Sequence, residues 1–124
     1  MSIATRQFGI NGESLATEFL RKRGYRILER NYRTPRGEMD IVAEEGGALV
    51  FVEVKARRGN QFGGPHCAVG WRKQQQLIRV ASHYMARHRV ENRDCRFDIV
   101  LISESPLREK QIDLIRNAFE VPPC

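Results

Sequence analysis

The sequence lacks the features that would place it in several protein classes. It has no apolar run of 18 residues, so no segment is predicted to span a bilayer as a helix. The first dozen residues include Arg6 and Asn11 and no apolar stretch of the kind a secretory leader needs, so a cytoplasmic location is expected. Cysteine is sparse and unpatterned: Cys67, Cys95 and Cys124 are odd in number, far apart and outside any CxxC pair. They read as free thiols, not as a disulfide frame or a zinc site. His66 next to Cys67 has no second pair at zinc spacing. A chain of 124 residues buries roughly two thirds of the surface its unfolded form exposes. That is enough for one core, and a single domain over residues 1–124 is expected.

Acidic residues are scarce in one stretch only. Residues 54–93 carry nine basic side chains and one acidic, whereas residues 1–53 carry eight of each and residues 94–124 carry four against six. The net charge of +6 therefore comes wholly from the middle of the chain. Such a segment suits a polyanionic partner, and it suits a solvated helix face equally well.

The apolar periodicity predicts a helix from Asn11 to Arg23, with Leu15, Ala16, Phe19 and Leu20 as its stripe and Gly24 as its stop. Strands are predicted over Tyr25–Arg33, Glu38–Glu44 and Ala48–Ala56, with turns at Thr34-Pro35-Arg36-Gly37 and Gly46-Gly47. The third strand is apolar on both faces, which places it centrally in a sheet. A polar, glycine-rich loop over Arg57–Gly70 leads to a helix over Trp71–His88, with Leu77, Val80, Ala81, Tyr84 and Met85 inward and Arg72, Gln76, Arg79, His83 and Arg87 outward. Arg96–Ile102 reads as a fourth strand, and Gln111–Phe119 as a fifth strand or a short helix. The fold class is α/β, in the order α-β-β-β-α-β-β, a mixed sheet flanked by helices.

The second hairpin permits an argument from geometry. With Gly46-Gly47 as the loop, paired residue numbers sum to 93, so Asp40 opposes Glu53 and Glu38 opposes Lys55. Opposed side chains have Cβ atoms about 4.5–5.5 Å apart, and like charges so placed destabilise a sheet. Two carboxylates beside a central strand need compensation, which a divalent cation held by one or two carboxylates supplies. A salt-bridge cluster, with Lys55 neutralising Glu38 and Glu53, is the alternative reading.

Asp40 within Gly37-Glu38-Met39-Asp40-Ile41-Val42, followed by Phe51-Val52-Glu53-Val54-Lys55, resembles the D…ExK signature of the PD-(D/E)XK, or restriction-endonuclease-like, nuclease superfamily. An acid-x-Lys tripeptide occurs by chance in most chains; its place at the end of a buried strand, after a helix bearing Glu13 and before a basic helix, is what makes the likeness specific. The whole chain is similar to the bacterial YraN family, which resembles archaeal Holliday junction resolvases. Gly12-Glu13, Arg30-Asn31-Tyr32-Arg33, Gly64-Pro65, Lys73-Gln74, Arg96-Phe97-Asp98 and Ala118-Phe119 follow that family's order. Cys67 stands where that family has an acidic residue and Gln76 where it has a basic one.

The resemblance implies that Asp40, Glu53 and the backbone carbonyl of Val54 bind Mg²⁺ or Mn²⁺. It makes Lys55 the group that orients the attacking water, and Glu13 an outer carboxylate toward the metal's water shell. Gln74 and Lys73 start the second helix on its inward side, where Gln74 is a candidate site residue. Arg57, Arg58, Arg72, Lys73, Arg79 and Arg87 are candidate nucleic-acid contacts. The expected partner is nucleic acid, DNA in the first instance and branched by analogy with resolvases, and a homodimer would cut two related strands. Two rivals stand beside the nuclease: a nuclease-fold DNA- or RNA-binding protein without turnover, and a scaffold whose acidic cluster is only a salt-bridge network.

Overall fold

A computed structural model describes residues 3–58, 69–107 and 109–119. Two helices pack on opposite faces of one five-stranded sheet. Their order is α1 (Ile3–Lys22), β1 (Arg26–Thr34), β2 (Gly37–Glu45), β3 (Ala48–Arg58), α2 (Trp71–Arg87), β4 (Cys95–Glu104) and β5 (Lys110–Ile115). The strands lie side by side in chain order. β3 and β4 are parallel, joined by α2 as the crossover helix, and every other pair is antiparallel. The mixed α/β architecture and element order are those expected from the sequence.

Among the boundaries that differ, three matter here. α1 begins at Ile3, so Asn11 lies inside the helix and does not cap it; once the strongly apolar later turns are formed, extending a helix costs far less than nucleating it. The fifth segment is strand only to Ile115, and Arg116 and Asn117 form a turn. β3 runs on to Arg58, so two arginines assigned to the following loop belong to the strand. Residues 59–68 of that loop, with Phe62, His66 and Cys67, lie outside the described residues.

The sheet separates two cores. Phe51, Met39, Tyr32, Phe97, Ile99 and Leu101 pack with Leu77, Val80, Ala81 and Tyr84 of α2. Ile41, Ala43, Val50, Val52, Val100 and Ile102 pack with Ala16 and Leu20 of α1. β3 thus contributes odd-numbered residues to the α2 side and even-numbered residues to the α1 side, so it is buried on both faces, as its apolar composition predicts.

One end of the sheet is locked by a polar knot. Asp98 is fully buried. Its carboxylate accepts hydrogen bonds from Tyr25 Oη at 2.7 Å, Arg96 Nε at 3.0 Å and the Asn117 backbone N–H at 2.9 Å. Arg96 reaches on to Glu45 at 2.7 Å, and Arg116 binds the same Glu45 oxygen at 2.6 Å. Removing one member of such a pair strands the other charge, so Asp98→Ala is expected to destabilise the fold by about 3–5 kcal/mol, measured by urea denaturation. A loss under about 1 kcal/mol would mean that the knot contributes no more than a surface ion pair.

Candidate metal centre at a fork in the sheet

Gly46 and Gly47 both have positive φ, 60° and 86°, the conformation that a two-residue hairpin loop matched to strand twist requires. The register is the expected one, from Glu45↔Ala48 to Ile41↔Val52. There the pairing ends. The first half of β2 stays with β1, through Arg33↔Glu38 and Tyr32↔Met39, while β3 continues with β4 through Lys55↔Leu101 to Arg58↔Glu104. The sheet forks at Asp40 and Glu53, and the expected opposition of Glu38 to Lys55 is not made.

The backbone beside the fork explains how Asp40 reaches across it. Residues two apart on a regular strand share a face, yet Met39 packs on the α2 side and Ile41 on the α1 side. β1 reverses in the same place: Tyr32 belongs to the α2-side core, while Arg30 lies beside Glu13 and Ser14 of α1. Asn31, between them, takes φ 54°, a left-handed conformation that Asn tolerates better than most residues. Asn31 and Asp40 therefore sit where both strands change face. Asp40 Oδ2 accepts the Val54 N–H at 2.8 Å, replacing the ladder bond lost at the fork. The N–H and C=O of one strand residue point to the same edge, so the Val54 carbonyl also faces the fork.

Glu53 projects from β3 on the α2 side and is almost fully buried. Lys73 Nζ lies 3.4 Å from its Oε2, yet that oxygen is buried without a hydrogen bond. Burial, then hydrogen bonding to and repulsion by Asp40, push the Glu53 carboxyl up to about 8, and Lys73 opposes them in part. Glu13 approaches from the other face. A Cβ added at Gly12 would sit 3.3 Å from Ile102 Cδ1 and 3.6 Å from Ala56 Cβ, so glycine allows α1 its close seat on β3 and β4. Glu13 Oε1 is likewise buried without a hydrogen bond, with Arg30 Nε 3.9 Å away. Burial first, and then the charge of Asp40, raise its carboxyl above the usual range, while the charge of Arg30 and a hydrogen bond from Asn31 lower it.

The structure thus brings Asp40, Glu53 and Val54 together and sets Glu13 beside them. Lys55 is half-buried on the same face of β3 as Glu53 and forms no ion pair among the described residues. Glu38 instead pairs with Arg33 at 3.4 Å, and Glu53 with Lys73, so Lys55 is not neutralising the acids. Gln74 turns its amide to the Val69 carbonyl, 3.1 Å away at the entry to its own helix, and not to the carboxylates. Arg72, Arg79 and Arg87 are exposed on α2; Arg57 and Arg58 close β3, and their side chains lie outside the described residues.

Two contributions are only partly legible in the sequence. Lys73 reads both as inward on the second helix and as a phosphate contact, and its ammonium meets Glu53. Asn31 had one available signal: Asn is a poor strand former in the middle of a predicted strand. Gln76, read as outward, donates to the Arg36 carbonyl at 3.0 Å. A Cβ at Gly37 would come within 2.6 Å of its Nε2, so the tip of the β1–β2 hairpin rests on α2.

Among the described residues no three His, Cys, Asp or Glu side chains close into a metal cage. Two carboxylates and a carbonyl form an open oxygen donor set instead, one that suits Mg²⁺ or Mn²⁺ and leaves positions for water. The fold and site together define an α/β protein with an acidic cluster at a fork in a mixed sheet. The chain belongs to the uncharacterised protein family UPF0102, whose model matches residues 12–102. It is 48% identical over 115 residues to the UPF0102 protein of Alkaliphilus metalliredigens, covering 93% of this chain and 99% of that one. It is 49% identical over 115 residues to the UPF0102 protein STH1475 of Symbiobacterium thermophilum (93% and 98% covered). With the relative from Geobacter metallireducens the identity is 43% over 121 residues, 98% of each chain. The matched span contains Glu13, Asp40, Glu53, Lys55 and Lys73.

Proposed function

We propose that the fork is a divalent-cation site and that the protein is a Mg²⁺- or Mn²⁺-dependent nuclease acting on DNA, with branched or otherwise non-duplex DNA as the preferred class. The observation that carries this reading is the pairing of Asp40 with a buried Glu53 whose Oε2 lacks a hydrogen bond, on the edge of β3 that Val54 turns to the fork. Asp40, Glu53 and that carbonyl would hold the ion. Bound there, it would supply Lewis-acid polarisation of a phosphate and a lowered pKa for water. Lys55 is on the Glu53 face with no ion pair among the described residues, and it would orient water and stabilise charge developing on the phosphoryl group. Glu13, its carboxyl raised by burial and by Asp40, would serve as an outer carboxylate toward the ion's water shell on the α1 side. Arg72, Arg79 and Arg87 would bind phosphates without reading sequence.

The test is a substrate panel: junction, flap, single-stranded and duplex DNA incubated with the protein and Mn²⁺, beside Lys55→Ala and Glu53→Ala. Nicking by wild type and not by either variant is expected, strongest on the junction or flap. Equal nicking by all three proteins would exclude this site. Binding without nicking on any substrate would favour a nuclease-fold protein that binds nucleic acid without turnover.

A further inference from the structure

The chain has one tryptophan, Trp71, at the first position of α2. A tryptophan opening a helix reads most simply as a packing anchor, with most of its large apolar surface buried. Here it is 70% exposed. Gly70 before it stands in open space, since a Cβ built there would meet nothing within 4 Å.

The surroundings of the ring are basic. α2 contains no Asp or Glu, and its N-cap makes no side-chain hydrogen bond. At about 100° per residue, Trp71, Arg72, Gln75 and Arg79 fall within one outward arc, while Lys73 turns inward to Glu53. The other large exposed hydrophobics among the described residues, Leu28 and Leu107, lie on different elements. Among the described residues Trp71 is therefore a lone exposed aromatic ring on a basic helix and not the centre of an apolar patch of the kind that binds a folded protein partner. Lys73, two residues along α2, meets Glu53, and a helix is only about 10–12 Å across with its side chains, so the ring is within a few nucleotides' reach of a strand held at the fork.

We propose that Trp71 is a stacking platform for an unpaired base of the nucleic-acid strand held at the fork, so that the site prefers single-stranded segments to continuous duplex. This rests on the reading of the fork as a nucleic-acid site and gives it a substrate preference. Every base has an aromatic face, and a base within a duplex has both faces covered by its neighbours, so such a platform selects for unpairing and not for sequence. Arg72 and Arg79 on the same arc would hold the flanking phosphates.

Because Trp71 is the sole tryptophan, its fluorescence reports on stacking directly. Metal-free wild-type protein is titrated with fluorophore-labelled thymidine oligonucleotides, an abasic strand of the same length, and duplex, with anisotropy read for binding and tryptophan emission for stacking. The expected result is quenching by the thymidine strand and much less by the abasic strand at equal saturation. Trp71→Ala is expected to lose about tenfold in affinity for the thymidine strand, within the range for one base–aromatic stack, while duplex affinity changes less than twofold and Mn²⁺ binding is retained. Binding of the thymidine strand without quenching would overturn the stacking platform alone, as would equal affinities of wild type and Trp71→Ala. No binding to any nucleic acid would overturn both it and the nucleic-acid reading of the fork.

Discussion

Replacing Glu53 by Gln is expected to stabilise the metal-free protein at pH 8 and above and to flatten its dependence on pH. The folded-state carboxyl of Glu53 is raised from the ordinary value of 4.5 to about 8, first by burial and then by Asp40. Between those two values the folded protein keeps a proton that the unfolded chain has released. Stability therefore falls as pH rises from about 4.5 to about 8, with a slope of up to about 1.4 kcal/mol per pH unit, the limit for one proton. The opposite dependence holds for an acid stabilised by a cation, whose folded-state carboxyl is depressed. The glutamine amide keeps the shape of the Glu53 side chain without its charge, so the Glu53→Gln variant should lose the slope in this window. Urea denaturation of both proteins from pH 5 to 9, without metal and then with saturating Mn²⁺, checks this. Mn²⁺ should raise wild-type stability most at the alkaline end, where its ligand is ionised. Identical profiles for wild type and Glu53→Gln would show that the fork carries no such penalty.

Lys55→Ala is expected to lower the rate of DNA cleavage by about 10²–10³-fold, the loss typical of removing one preorganised charge-stabilising donor. Its effect on Mn²⁺ affinity and on DNA affinity should be small. The reason lies in what Lys55 does not touch: Glu38 is paired with Arg33, and Glu53 with Lys73. Removing its ammonium breaks no ion pair among the described residues, so a loss of rate with an unchanged melting temperature would report on the chemistry and not on structure. Lys73→Ala should behave differently at pH 8 and above, where Glu53 is ionised and the variant strips the partner from a buried charge. That variant is expected to lose stability in the metal-free form. Single-turnover cleavage rates beside thermal melts separate the two lysines. Unchanged cleavage in Lys55→Ala would remove it from the chemistry.

Period and turn chemistry made most of the fold legible in the sequence. The double-sided apolar run of β3 predicts a central strand, and the paired glycines at 46 and 47 fix the register that sets Asp40 toward Glu53. The site was harder to read, because a regular ladder is all that alternation can represent. It places Glu38 opposite Lys55, where the real sheet has already divided. The division depends on β3 finding a parallel partner far along the chain, as in Val52↔Asp98 through Arg58↔Glu104, a long-range event with no local mark. Asn31 is the nearest thing to a local mark, a left-handed residue in a strand. The role of Lys73 needs the tertiary seat of α2 on the sheet. Trp71 shows the converse: a tryptophan opening a helix can be read as a packing anchor or as a ring that stacks on bases, and the folded structure shows it open to solvent.

Calorimetric titration of the metal-free protein with Mn²⁺ at pH 7, in two buffers of different ionisation enthalpy, tests the central claim most directly. The expected result is Mn²⁺ binding with release of roughly one proton per ion, since Glu53 is largely protonated at that pH and must ionise to become a ligand. Asp40→Asn and Glu53→Gln should each abolish the binding. Wild-type protein that takes up no Mn²⁺, or binding that survives in both variants, would contradict a metal centre at the fork.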